Sequence, residues 1–192
     1  MALSFYSKRN ILAWVCGFGV LLSGCQWRPL NSKGESTAQV GATKRLGSFC
    51  GDGLCALVFL SAECPICQNQ VLTLNQLMKK YPQVHFKGVF TAWDKWRDIK
   101  TFQTTFAPAF HLGRDDHHRL AKRLDATVTP EVFLLHKGQI VYQGAIDNWY
   151  YAPGRHRVAP TAHYLEDAIR AVQNGGPVSP AKTEAIGCII ER

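Results

Sequence analysis

Two cysteines spaced by two residues, in Cys64-Pro65-Ile66-Cys67, carry the most reactive pattern in the chain. The sulfur nucleophile is a thiolate. A thiol at the start of a helix ionises below the usual ~8.5, because unpaired amides and the helix dipole favour the anion. A spacing of two sets the second sulfur one helical turn on, where it can close a disulfide or resolve a mixed one. Pro65 suits a first helical turn, where no backbone donor is needed. The pattern makes Cys64 the nucleophile and Cys67 the resolving thiol. A static disulfide and half of a zinc site are the competing readings, and the second lacks a partner Cys-x-x-Cys.

The elements that must position this dithiol are legible on both sides of it. Residues 56–60 (Ala-Leu-Val-Phe-Leu) form a short continuous apolar run, the mark of a strand buried on both faces. A helix is predicted over 68–81, with Val71, Leu74 and Leu77 at helical spacing and Pro82 ending it. A strand follows at 84–90, then a helix over 93–106 with Trp96, Ile99 and Phe102 on one side. A short strand is expected at 109–112, and a helix capped by Asp116 running to 124. Strands at 132–135 and 139–142 flank the hairpin signal His136-Lys137-Gly138. A last helix, capped by Thr161, runs to 173. The alternation predicts an α/β fold with a mixed central sheet flanked by helices.

With these elements in place, the chain resembles the thioredoxin-like superfamily, and within it the exported redoxin branch of peroxiredoxin-like and tethered thiol–disulfide proteins. The resemblance rests on Val58 to Cys67 and on Ala126-Thr127-Val128-Thr129-Pro130-Glu131-Val132-Phe133, and covers roughly residues 48–175. It implies a thioredoxin-like fold and a cis proline at Thr129-Pro130 packed beside the dithiol. The Thr129 backbone would then be turned toward the sulfurs, where it can pair with an extended substrate strand. The ordinary alternative for Thr129-Pro130 is a trans turn. This chain departs from thioredoxin itself. Glu63 stands where thioredoxin has Trp, and Pro65-Ile66 where it has Gly-Pro. Val58 replaces a buried Asp that accepts the resolving thiol's proton. Glu131 or Glu63 could take that role, although Glu63 would also oppose a thiolate at Cys64.

Three functions follow from the resemblance. The first is a thiol–disulfide oxidoreductase without a cofactor, acting on exported thiol or disulfide proteins and paired with an upstream electron donor or acceptor. The second is a peroxiredoxin-like peroxidase. Ser61 supports it, three residues before Cys64, while Leu57 stands where a proline is expected. The third is a Sco-like copper chaperone, whose cysteines are spaced by three rather than two.

Seven cysteines is a high count. Cys50 and Cys55 flank Gly51-Asp52-Gly53-Leu54, a loop able to close a local disulfide. Cys188, in Ile186-Gly187-Cys188-Ile189-Ile190, lies in a tail whose apolar flanks predict docking on the domain. Cys188 is expected to clamp the tail to Cys50 or Cys55, since most disulfides in exported domains are structural. The alternative is exchange with the dithiol as a third redox thiol. His117, His118, His156 and His163 show no tight metal-ligand spacing. The aromatic and basic segment 148–157 is either a partner surface or a loop packed by its own rings.

Residues 1–24 read as a secretion signal, with Lys8 and Arg9 before an apolar stretch at 11–22 that also holds Cys16. The stretch ends in Leu22-Ser23-Gly24-Cys25, which resembles the bacterial lipobox and implies lipidation of Cys25. Residues 25–48 are a Ser/Gly/Thr-rich tether, 49–175 the thioredoxin-like domain and 176–192 the tail. The expected location is the bacterial cell envelope, outside the cytoplasm, held to a membrane by the lipid. The net charge is +8, with no basic run and no basic stripe interleaved with aromatics, so nucleic acid is not an expected partner.

Overall fold

The apolar run expected at 56–60 is the middle strand of a five-stranded sheet in a computed structural model that describes residues 50–192. The leader, Cys16, Cys25 and the tether lie outside the described residues. The middle strand, β1 (Leu54–Leu60), begins two residues earlier than expected and is buried along its whole length. Its alternate residues explain the unbroken apolar run. Ala56, Val58 and Leu60 face a core shared with three helices, α1 (Pro65–Lys80), α2 (Trp96–Phe106) and α4 (Tyr164–Gln173). Cys55, Leu57 and Phe59 face a second core built on Leu120, Leu124, Phe133 and Ile190. Phe59 and Phe133 meet edge to face at 5.7 Å there.

Strand β2 (Val84–Phe90) lies parallel to β1, and β3 (His111–Arg114) parallel to β2. After the short β4 (Val128–Thr129), β5 (Glu131–His136) runs antiparallel to β1, and β6 (Gln139–Gly144) antiparallel to β5. The sheet order is thus β3-β2-β1-β5-β6. Lys137 and Gly138, both at positive φ (52° and 73°), make the tight connection between β5 and β6. The mixed α/β sheet flanked by helices is the fold class read from the sequence.

Several boundaries differ, each for a local reason. Helix α2 (Trp96–Phe106) starts at Trp96 and buries Ile99 and Phe102. Trp96 itself is 58% exposed, and its ring stacks against the Arg114 guanidinium at 5.1 Å. The helix expected from Asp116 is the shorter α3 (Arg119–Leu124). Asp115, not Asp116, accepts the Leu120 and Ala121 amides, at 2.9 and 2.8 Å, while Asp116 pairs with Arg114. Thr161 does not cap the last helix. Its amide and hydroxyl are bound by the Asn148 side chain, and α4 starts at Tyr164.

The segment 148–157 folds into a small hairpin of β7 (Tyr150–Ala152) and β8 (Arg155–His156). Trp149, Tyr150 and His156 pack on one another with ring centroids 5.2 to 5.6 Å apart, and the Tyr150 hydroxyl accepts from Asn69 of α1. The loop is packed by its own aromatics.

The tail docks as its apolar flanks predicted. Ala181 and Thr183 bond to the Gln143 backbone, and Thr183 Oγ1 takes the Ala145 amide at 3.0 Å. A final strand, β9 (Cys188–Ile189), pairs antiparallel with β4. Ile190 then enters the second core. Among the described residues, no helix is long and apolar enough to cross a membrane.

Candidate active site

Cys64 is the N-cap of α1 and Pro65 its first residue, so the dithiol leaves β1 and enters the helix as its spacing predicted. Both sulfurs are unbonded and buried, with Cys64 1% and Cys67 0% exposed. Cys67 lies on the buried face of α1 with Ile66, Val71 and Leu74, and its sulfur accepts the Ser61 amide at 3.5 Å.

The two thiols differ sharply in acidity. Cys64 is pulled down to about 5, chiefly because the Cys67 thiol donates to its sulfur; burial opposes this, and the Cys188 thiol adds a second donor. Cys67 is held well above the ordinary thiol range by burial, then by its bond to Cys64 and the charge there. One thiolate stabilised by a neighbour that stays protonated is the division of labour a nucleophile and a resolving thiol need.

Thr129-Pro130 is a cis peptide. The Thr129 carbonyl lies 3.2 Å from Cys64 Sγ and accepts from its thiol form. The structure therefore brings Cys64, Cys67, Thr129 and Pro130 together, as the resemblance implied. Glu131 is placed differently. It is buried, but its oxygens are taken by the Thr127 amide and the Gln143 side chain, both at 2.8 Å. It lines a groove of about 420 Å³ with Thr127, Gln143, Lys182 and Glu184. Glu63 is exposed beside Cys64. Val58 is buried between Gly88 and Val132, so no carboxylate occupies the strand position that thioredoxin uses.

The expected clamp between Cys188 and Cys50 or Cys55 is not formed. Cys50 and Cys55 are bonded to each other, across a loop that Gly51 turns at φ 64°. Cys188 is a free thiol in β9, directly opposite Thr129. Docking the tail on β4 carries it to the dithiol, away from the loop before β1. Its thiol donates to Cys64, and it is raised to about 11 by burial, by that donation and by the charge on Cys64. The site thus holds three thiols.

Asp94 is a site residue that sequence reading missed. It is buried just beyond β2, and one carboxylate oxygen takes the Ala62 amide at 2.7 Å and the Ser61 hydroxyl at 3.1 Å. The other takes the Thr91 amide and hydroxyl. It fixes the loop that delivers Cys64. The only hint in the sequence is an acid just past a strand that neighbours the dithiol strand. Ser61 is thereby turned to Asp94. Gln70 of α1 likewise holds the buried Asp147 at 2.9 Å. His118 packs on Trp93, and His156 belongs to the ring cluster of the small hairpin. Among the described residues, no group of three or more His, Cys, Asp or Glu is placed to hold a metal ion.

No family model matches the chain, and no curated protein does. Solved structures do. An uncharacterized conserved protein from Geobacillus kaustophilus is 22% identical, with a TM-score of 0.65 over 73% of this chain and 78% of that one. The hypothetical protein SMc02350 from Sinorhizobium meliloti 1021 is also 22% identical, with a TM-score of 0.64 over 72% and 79%. A secreted Mycobacterium tuberculosis disulfide oxidoreductase homologous to E. coli DsbE is 18% identical, with a TM-score of 0.47 over 67% and 86%. At these identities the likeness to the first two is one of fold alone.

Proposed function

We propose that this thioredoxin-like domain is a thiol–disulfide oxidoreductase working through Cys64 and Cys67. The observation that carries the reading is the asymmetric pair at the start of α1: an acidic Cys64 against a protonated Cys67, beside the Thr129 backbone. Cys64 thiolate attacks a substrate disulfide, forming a mixed disulfide and releasing one substrate thiolate. Cys67 then attacks Cys64 Sγ, closing Cys64–Cys67 and releasing the second substrate thiol. The domain gives up two electrons and the substrate gains them; a partner dithiol, itself oxidised, runs the same steps backwards and reduces the domain.

The substrates in this reading are exported proteins bearing thiols or disulfides. An upstream donor or acceptor resets the dithiol. The apolar leader ending in Leu22-Ser23-Gly24-Cys25 supports lipidation at Cys25 and a place in the cell envelope, at a membrane and outside the cytoplasm. A peroxidase would need Ser61 beside the nucleophile's substrate, and its hydroxyl is committed to Asp94.

Trapping tests this. In its native envelope, the Cys67→Ser variant should accumulate mixed disulfides between Cys64 and exported proteins. Absence of adducts, together with rapid oxidation of Cys64 by hydrogen peroxide, would replace the reading with a peroxidase. Loss of membrane association in Cys25→Ser tests the anchor.

A further inference from the structure

Of the three thiols at the site, Cys188 alone is exposed. Cys64 and Cys67 are almost wholly covered, and the edge of Thr129, where an extended substrate would pair, is already occupied by the chain's own β9. The tail that brings Cys188 there is fastened along its length. Thr183 is bound by Ala145 and by Tyr142, whose hydroxyl lies 2.5 Å from its Oγ1. The Ile190 amide donates to Thr127 O at 2.9 Å, and Trp93 Nε1 donates to Glu191 O at 3.1 Å. Arg192 pairs with Asp125 at 2.8 Å. Between these anchors, Gly187 passes so close to Thr129 that a Cβ would come within 1.9 Å of the Thr129 carbonyl oxygen. Only glycine allows β9 to lie this near the dithiol.

We propose that Cys188 is a third redox thiol, which takes the disulfide over from the buried pair and is the port through which the domain trades electrons with a protein dithiol. The proposal rests on the oxidoreductase reading above. In the oxidised domain, Cys188 thiolate attacks Cys64 Sγ. The Cys64–Cys67 bond breaks, Cys64–Cys188 forms, and Cys67 leaves as a thiolate that takes up the proton Cys188 gave. No electrons enter or leave in this step. A partner thiolate then attacks Cys188 Sγ, the exposed sulfur, and Cys64 leaves. The partner's second thiol displaces Cys188, which takes a proton. The partner dithiol is oxidised, and the domain gains two electrons.

Contact between the Cys188 thiol and Cys64 directs the internal exchange to Cys64 Sγ, and leaving-group chemistry then directs the partner to Cys188. Attack goes to the sulfur whose neighbour leaves best, and the most acidic thiol leaves fastest. Cys64, at about 5, is that thiol. Access and leaving group therefore point to the same sulfur, Cys188. Its own high value has two causes besides burial, donation to Cys64 and the negative charge on Cys64. Both disappear once Cys64 is in a disulfide, so Cys188 grows more acidic in the oxidised domain, when it must attack.

The experiment uses the full chain, oxidised, with reduced thioredoxin as the protein dithiol. Thiols are quenched by alkylation at intervals and mapped by mass spectrometry. Cys188→Ser should still form Cys64–Cys67 but be reduced about tenfold more slowly, having lost the accessible sulfur. Cys67→Ala should form Cys64–Cys188 on oxidation. Gly187→Val keeps the Cys188 thiol but lifts β9, and should lose the Cys64–Cys188 bond. Reduction of Cys188→Ser at the unaltered rate, or no Cys64–Cys188 bond in Cys67→Ala, would overturn the proposal and leave the oxidoreductase reading standing. Turnover that survives Cys64→Ser would remove that reading itself.

Discussion

Thr129 and Cys188 face each other across an antiparallel strand pair, with Cys64 Sγ 3.2 Å from the Thr129 carbonyl. The chain therefore covers Cys64 with its own last strand. Backbone pairing at this edge is the means by which an extended peptide would be held, and here the partner is intramolecular. Any substrate that pairs with Thr129 must compete with residues 186–190.

The acidity of Cys64 sets a pH profile. Alkylation of the reduced protein by iodoacetamide should be flat above about pH 6 and fall as pH drops through about 5. In Cys67→Ala the largest stabilising donor is gone, so the midpoint should move up. The same shift governs stability. The native value lies below the ordinary 9.0, so the unfolded chain binds more protons between about 5 and 9. The Cys64 contribution is complete above 9 and is lost as pH falls through 5. Denaturant titrations of the reduced protein should follow that slope, and Cys64→Ser should flatten it.

Asp94→Ala should be among the most damaging changes away from the sulfurs. It strips acceptors from two buried amides and two hydroxyls. Each buried donor left unpaired costs about 1–3 kcal/mol, so a loss of roughly 3 kcal/mol or more is expected in denaturant unfolding. Asp94→Asn keeps one acceptor oxygen and should lose less. Because the loop it holds delivers Cys64, slower alkylation of Cys64 should accompany the loss.

Glu131→Gln separates two roles for that side chain. Both oxygens already serve Thr127 and Gln143. The amide keeps one acceptor and loses the other, at a cost of about 1 kcal/mol. The pH profile of Cys64 alkylation should stay in place. A displaced profile would return Glu131 to the proton-transfer role that the sequence offered it.

The sequence carried the sheet, the dithiol and the Thr129-Pro130 turn because each is encoded within one short segment. A continuous apolar run specifies a buried strand, and Cys-Pro-x-Cys specifies a helix start. What it did not carry depends on contacts far apart in the chain. Asp94 reaches Ser61 and Ala62 across 33 and 32 positions, and no local pattern marks it. Cys188 looked like a clamp for Cys50 because frequency favours structural disulfides. Its true neighbour follows from strand pairing 59 positions away (188 − 129), set by Gly187 and Ile190. Cap positions slipped for a smaller reason: Asp115 and Asp116 are adjacent, and only the fold decides which carboxylate meets the helix amides.

The Cys50–Cys55 disulfide closes a very short loop, with a sequence separation of 5. The entropy it removes from the unfolded chain is correspondingly small, about 2 kcal/mol. Replacing both cysteines by serine should lower stability by about that amount while leaving Cys64 alkylation unchanged. A much larger loss would mean that the loop organises the start of β1.

Ile190→Ala tests how far the tail can open without unfolding the domain. Ile190 is 5% exposed in the core that Leu120, Leu124 and Phe133 share, and truncation of a buried isoleucine costs about 2–5 kcal/mol. That cost falls on a terminal strand only two residues long. It should therefore appear as local opening of β9 and leave the global transition nearly in place. Each 1.4 kcal/mol of local destabilisation raises the open population about tenfold, so alkylation of Cys64 through the open state should rise by tenfold or more. Amide exchange should quicken at Ile190, whose bond to Thr127 O closes the strand, and stay slow in β1 and β5. A drop in the global midpoint with no gain in Cys64 alkylation would show instead that the tail and domain unfold as one unit, and that a substrate cannot displace β9 alone.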